Sequence, residues 1–305
     1  MDKEIANLFH IIAVRSEAAN PRNEEDYVMP DGLLYCGKCH TPKQCRPFPD
    51  NQDCIVHCLC DCEIQRQKDA ERRLHESDID IARKKCFIGT DGKVRDEIAN
   101  TFATDEYHDK PAGYAKRYAD KLCECLKAEK AAWDAIATQK DMQFNAIEKE
   151  EVPWLLFLGK KGTGKSFLAA CICNALIDAG FTARFTNFAQ IANDLMSEEN
   201  KSEVYSNLTR SDLIVLDDLG AEKDTEYMEQ IKYNVIDCIC SSGKPCIITT
   251  NMAISEFEEP KDNQTQRICS RIYKKSLLIS CIGEDRRKSK ARETRDLRKK
   301  WIIDD

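Results

Sequence analysis

The chain has 305 residues, 42% hydrophobic and 32% charged, with a net charge of −7. That length holds one large core and a smaller module, and the composition is that of a soluble globular protein, not a disordered or fibrous one. No apolar run approaches the roughly 20 residues of a membrane span, and no basic start followed by an apolar stretch marks a signal peptide. The 17 cysteines therefore point to a reducing cytoplasm with some thiols on a metal, not to a disulfide framework.

In chain order, residues 2–19 pattern as an amphipathic helix with Ile5, Leu8, Phe9 and Ile12 on one stripe, closed by Asn20-Pro21. Residues 21–62 are rich in Pro, Asp and Cys and show little periodicity. They contain Tyr35-Cys-Gly-Lys-Cys39, a C-x-x-C knuckle whose glycine permits a tight turn, and then Cys58-Leu-Cys-Asp-Cys62. Four thiolates, from Cys36, Cys39 and two of Cys58, Cys60 and Cys62, would complete a tetrahedron around Zn²⁺. Such a site leaves no open position, so the zinc would be structural. Cys45, Cys54 and His57 are less regular spares. From 63 to 85 the composition turns to Glu, Arg, Lys and Gln, an exposed helix or connector. The domain boundary is expected near 88–98, giving a zinc-binding domain at 1–95 and a second domain at 96–305.

Residues 114–149 read as mostly helical. Strands are then predicted at 153–158, 183–187, 213–217, 245–250 and 276–281, alternating with helices at 165–179, 188–196, about 225–241 and 264–274. Near-continuous apolar strands alternating with helices predict a parallel sheet covered on both faces, a P-loop α/β fold. The C-terminal stretch from Arg286 to Lys300 carries nine Lys or Arg against Glu293 and Asp296. Such a run is either a solvated helix or a phosphate contact, and charge does not decide between them.

The strongest motif lies between the first of those strands and its helix. Gly159, Lys160, Lys161, Gly162, Thr163, Gly164, Lys165 and Ser166 spell a G-x-x-x-x-G-K-[ST] phosphate-binding loop, with Phe167 opening the helix. Its N–H groups would cradle the phosphates of a nucleoside triphosphate at a helix N-terminus. Lys165 would reach the β- and γ-phosphates, and the Ser166 hydroxyl would bind Mg²⁺. About fifty residues on, Leu213-Ile-Val-Leu-Asp-Asp-Leu-Gly220 puts two carboxylates at a strand's C-terminal end. Asp217 would hold Mg²⁺, and Asp218 would polarise the attacking water as general base. Asn251, ending Ile247-Ile-Thr-Thr-Asn251, would position that water or sense the γ-phosphate. Arg267 and Arg271 share a helical face and read as arginine-finger candidates, donated in trans to a neighbouring subunit. Arg286 or Arg287 would add a further γ-phosphate contact.

Taken in this order, the motifs Gly-Lys-Lys-Gly-Thr-Gly-Lys-Ser, Leu-Asp-Asp-Leu-Gly, Ile-Thr-Thr-Asn, Arg-Ile-Cys-Ser-Arg-Ile and Gly-Glu-Asp-Arg-Arg resemble the AAA+ ATPases of the DnaC/DnaI helicase-loader group, relatives of DnaA and IstB. The resemblance covers roughly residues 99–295. It implies that Arg271 is the arginine finger, Arg287 the second sensor and Phe102 an aromatic near the adenine. The cysteine module with its charged helix looks like the adaptor domain of DnaI-type loaders, which contacts the helicase. The implied protein is an ATPase using ATP, Mg²⁺ and Zn²⁺, self-associating through shared ATP sites. Its implied partners are a replicative hexameric DNA helicase and single-stranded DNA, with no membrane partner. Two other functions are consistent with the same residues: an IstB-like regulator of a transposase, and a nucleotide-gated adaptor with little hydrolysis. Asp218 departs from the Glu common in AAA+ proteins, and the shorter carboxylate suits slow, switch-like hydrolysis.

Overall fold

The structure is a computed structural model that describes residues 23–48, 54–89, 91–138, 151–198, 200–222, 225–260 and 263–288. The helix expected at 2–19 and the basic run beyond 288 lie outside the described residues. Among the described residues no helix is long and apolar enough to cross a membrane. Contacts divide the chain into two compact units, Met1–Asp78 and Ile79–Asp305.

The first unit contains two hairpins of very short strands. β1 (Tyr27–Val28) pairs antiparallel with β2 (Leu34–Tyr35), and β3 (Gln44–Cys45) with β4 (Val56–His57). Apolar burial is sparse here: Leu34, Cys36 and Cys60 are the buried hydrophobic residues described before residue 78. A buried ion cluster works beside them. Lys43, 1% exposed, reaches Asp26 at 3.0 Å and Glu63 at 3.3 Å. Asp26 also accepts the Gly37 N–H at 3.1 Å, and Glu63 accepts the Cys60 N–H at 3.3 Å. Gly37 is required by close approach, because a Cβ there would collide with the Glu25 carbonyl.

The charged stretch after Cys60 forms helix α1 (Asp61–Phe87), with Asp61 and Glu63 in its first turn and Lys84 and Lys85 in its last, each complementing the helix dipole. The division between units falls inside this helix, earlier in the chain than the boundary expected near 88–98. The physical reason is apolar: Cys86 and Phe87 are buried and belong, with partly buried Ile79, to the core of the second unit.

That second unit is built on five parallel strands: β5 (Trp154–Leu158), β6 (Ala183–Thr186), β7 (Leu213–Leu219), β8 (Cys246–Thr250) and β9 (Ser276–Ser280), in the spatial order β6-β7-β8-β5-β9. Every residue of β5 and β8 is buried, as the continuous apolar runs require of parallel strands covered on both faces. Alternation along each strand feeds two cores. Leu155, Phe157, Leu213, Val215 and Ile247 pack on one side with α2 (Lys110–Thr138) and α3 (Lys165–Asp178). Trp154, Leu156, Leu158, Ile214, Leu216 and Ile248 pack on the other with α4 (Phe188–Ser197), α6 (Glu226–Ser242) and α8 (Asn263–Lys275). The α/β P-loop architecture with a central parallel sheet is thus the one expected. Sequence patterning does not anticipate the short helices α5 (Lys201–Thr209) and α7 (Ile254–Glu258), which bury Leu208 and Phe257 respectively.

Candidate functional site

The C-terminal ends of β5, β7, β8 and β9 converge on one cavity of about 350 Å³. The phosphate loop leaves β5 and enters α3, with Gly162 at φ +81 and Gly164 at φ +95. A Cβ on Gly162 would also strike the Asp285 carboxylate, so this position needs glycine on two counts. Lys165 is 4% exposed, and its ammonium donates to the carbonyls of Gly159 (2.8 Å) and Lys160 (2.9 Å) and to Asn251 Oδ1 (2.8 Å). Asn251 Nδ2 in turn donates to Asp218 Oδ1 at 3.2 Å. Lys165, Asn251 and Asp218 therefore form one hydrogen-bonded chain across three strand ends. Burial pulls the Lys165 ammonium below its ordinary range, against the pull of the Asp218 and Asp217 carboxylates.

Asp217 is 7% exposed and accepts a hydrogen bond from the Thr249 hydroxyl at 2.7 Å, with the Ser166 hydroxyl nearby. Burial pushes its carboxyl up, and those two hydroxyls oppose the shift. A serine hydroxyl and a carboxylate side by side at the phosphate loop are the hard oxygen donors that Mg²⁺ takes, so these residues fit that ion. Thr163 donates to the Lys160 carbonyl at 2.9 Å and stiffens the loop. Lys161, Ser166, Phe167, Asp218, Asn251 and Arg287 line the cavity.

Two expectations are refined here. Arg286 and Arg287 both reach the cavity but differ in commitment. Arg286 pairs with Asp109 and, at 3.8 Å, with Asp105, and its guanidinium lies 4.2 Å from the Tyr107 ring centre. Arg287 is exposed, and no ion pair among the described residues engages its side chain. Phe102 packs against the core, whereas Tyr107 lines the cavity. The string Asp105-Glu-Tyr-His-Asp109 was the available signal for this wall, and sequence reasoning passed over it. It also passed over Thr249, although the motif containing it was in view.

Arg271 does not line this cavity. It pairs with Asp237, donates to the Tyr233 hydroxyl at 3.0 Å and lies 4.8 Å from that ring's centre. With Arg267 it lines a separate open groove bordered by Phe257 and Tyr273. The hydrogen bond to Asp237 holds the Arg271 guanidinium more firmly protonated than usual.

In the first unit, the thiols of Cys36, Cys39, Cys60 and Cys62 lie within 4.8 Å of one another. Cys36 and Cys62 are 3.6 Å apart and Cys60 and Cys62 3.2 Å apart. Zn–S bonds of about 2.3 Å imply tetrahedral edges of about 3.8 Å, so the four sulfurs fit a zinc ion with slight expansion. A hydrogen bond with Thr41, at 3.1 Å, is the main force pulling the Cys39 thiol down to about 6, and the Lys38 N–H points at Cys36 Sγ at 3.4 Å. The first favours a thiolate at Cys39, whereas burial pushes the Cys60 thiol up. Cys58 is the odd one of the five candidates: it lies outside the cluster and contacts the Pro42 carbonyl at 3.4 Å.

Comparison with known proteins agrees with this geometry. The family described as IstB-like ATP binding protein matches residues 117–294, more than half of the chain. The replicative helicase loader DnaC of Escherichia coli (strain K12) is 30% identical over 129 residues, covering 38% of this chain and 53% of that protein. The replicative helicase loader DnaI of Bacillus subtilis (strain 168) is 23% identical over 146 residues, covering 44% and 47%. The chain thus spans about half the length of the curated relatives it matches. Among solved structures, DnaI superposes with a TM-score of 0.47 at 18% identity over 64% of this chain and 94% of that one. The DnaC helicase loader gives 0.45 at 20% identity over 61% and 99%.

Proposed function

We propose, from the premise that this chain belongs to the IstB-like ATP binding protein family, that it is an ATP-dependent loader of a replicative DNA helicase. The observation that carries the reading is the hydrogen-bonded chain Lys165–Asn251–Asp218 at the mouth of the phosphate loop. It supports a reading in which a phosphate-binding cation, a polar sensor and a candidate base act around one point. Lys165 and the loop N–H groups bind the triphosphate, Ser166 and Asp217 hold Mg²⁺, and Arg287 contacts the γ-phosphate. Magnesium, when bound, would neutralise charge on the β- and γ-oxygens. Asp218 takes the proton of the attacking water while Asn251 orients it. Arg271 serves a neighbouring subunit's nucleotide, so the chain works as an ATP-switched oligomer. Cys36, Cys39, Cys60 and Cys62 hold a structural zinc, and residues 1–95 face the helicase. The work is cytoplasmic, with single-stranded DNA as the substrate onto which the helicase passes. The relatives named as helicase loaders support this assignment.

Reconstitution tests it. The protein is mixed with a hexameric replicative helicase and single-stranded DNA coated with binding protein. Unwinding of an adjoining duplex should require this chain and ATP. Failure to bind any hexameric helicase, together with ATP-dependent binding of a transposase, would replace the reading with the alternative of a transposase regulator. ATP-gated binding with no turnover would leave a nucleotide-gated adaptor.

A further inference from the structure

The sheet ladder between β7 and β8 breaks at the two acids. Pairing runs through Val215↔Ile247 and Leu216↔Ile248 and resumes at Leu219↔Thr250. Asp217 and Asp218 therefore stand opposite a single residue, Thr249. Two residues against one is a β-bulge, which re-aims side chains and leaves backbone groups without ladder partners. Asp218 adopts φ +58, a left-handed conformation uncommon outside glycine. Something must hold it there.

Thr249 is the residue placed to do so. It is fully buried, and its one hydroxyl is used in both directions. The hydroxyl oxygen accepts the Asp218 N–H at 2.8 Å, replacing the missing ladder bond. The hydroxyl proton goes to Asp217 Oδ1 at 2.7 Å, which fixes that oxygen and leaves the second carboxylate oxygen uncommitted to this bond. We infer that Thr249 is a positioning residue for both acids, fixing through one hydroxyl the backbone of Asp218 and the carboxylate orientation of Asp217. The inference rests on the ATPase reading above and extends it to a residue that touches neither nucleotide nor water.

Valine and serine separate the hydroxyl from the shape of the side chain. Thr249→Val fills the same space without donor or acceptor, and Thr249→Ser keeps both. The full chain is titrated with a fluorescent ATP analogue, once in Mg²⁺ and once in EDTA, and its ATP turnover and melting temperature are measured. Loss of an outer partner of a metal ligand costs roughly 10- to 100-fold in metal affinity or activity. Thr249→Val should lose that much of the Mg²⁺-dependent part of affinity and of turnover, while affinity in EDTA stays at the parental value. Thr249→Ser should remain within a few-fold of the parent in every measurement. A residue that merely braced the sheet would lower the melting temperature without separating the Mg²⁺ and EDTA arms. Thr249→Ala repeats the comparison where valine disturbs folding. Parental Mg²⁺ dependence and turnover in the hydroxyl-free variants would overturn the inference alone. A parent whose nucleotide affinity ignores Mg²⁺ and which shows no turnover would overturn the ATPase reading and the inference with it.

Discussion

The zinc assignment makes the sharpest prediction, because two cysteines only two residues apart should behave oppositely. Cys60 lies in the four-thiol cluster and is 1% exposed, whereas Cys58 points to the Pro42 carbonyl. Cys60→Ser should abolish zinc binding, and Cys58→Ser should leave one zinc per chain. The size of the effect follows from how little else holds this unit. Leu34 is its one buried large aliphatic among the described residues, and such a side chain contributes about 1.5–3 kcal/mol. A structural zinc contributes on the order of 10 kcal/mol, several times as much. The buried Lys43–Asp26–Glu63 cluster is no substitute, since the desolvation cost of a buried ion pair offsets most of its attraction. Losing the metal should therefore open residues 23–62 while the nucleotide site stays folded. Element analysis of the purified variants gives the stoichiometry. Limited proteolysis with and without chelator locates the opening, and analogue affinity reports on the second unit. Loss of zinc from Cys58→Ser as complete as that from Cys60→Ser would refute the ligand set. A parent that is metal-free yet protected from protease would refute the zinc itself.

Four further outcomes are expected of the ATPase. Lys165→Ala should lose triphosphate binding, and Asp218→Asn should bind normally while turnover falls by roughly 10²–10⁴; an Asp218→Asn variant hydrolysing at the parental rate excludes Asp218 as base. Burial raises the Asp217 carboxyl above its ordinary value of 3.8, so its neutral form persists to higher pH than an ordinary aspartic acid. Without Mg²⁺ the Asp217 carboxyl, followed by its carbon NMR resonance, should thus titrate above 3.8, and Mg²⁺ should lower that midpoint; a metal-free midpoint at or below 3.8 contradicts the assignment. Arg271→Ala should keep nucleotide affinity but lose hydrolysis in assemblies, and mixing it with Lys165→Ala should restore part of the activity at interfaces that pair an intact loop with an intact arginine. Mixtures that co-assemble yet stay inactive argue for a surface arginine.

The strands that carry the site were legible because a parallel strand buried on both faces has to be apolar throughout, as Trp154–Leu158 and Leu213–Leu216 are. The phosphate loop was legible because its chemistry is local. The hairpins of the first unit were not, since strands two residues long carry no periodicity. The choice among Cys58, Cys60 and Cys62 needed the fold, because spacing alone allows several sets of four. Arg286 and Arg287 are adjacent in sequence but begin a helical turn, where about 100° of rotation sends neighbours to different surroundings. The role of Thr249 depends on which residue lies across the bulge, and cross-strand register is written in no single segment.

Topology also accounts for the separation of Arg271 from the cavity at its own phosphate loop. The loop leaving β5 is flanked in the sheet by β8 on one side and β9 on the other. Asn251 follows β8 and Arg286 and Arg287 follow β9, so a phosphate at the loop meets all of them at the strands' C-terminal edge. In a parallel sheet, a connecting helix must travel back from that edge to the start of the next strand. α8 makes this return, ending at Lys275 immediately before β9 begins at Ser276. Arg271 sits in the closing turns, carried toward the opposite edge, and there it meets Tyr233 and Asp237 in the later part of α6, a helix making the same return before β8. Under the proposed function, a guanidinium held by one carboxylate in an open groove would exchange that partner for the γ-phosphate of an adjoining copy.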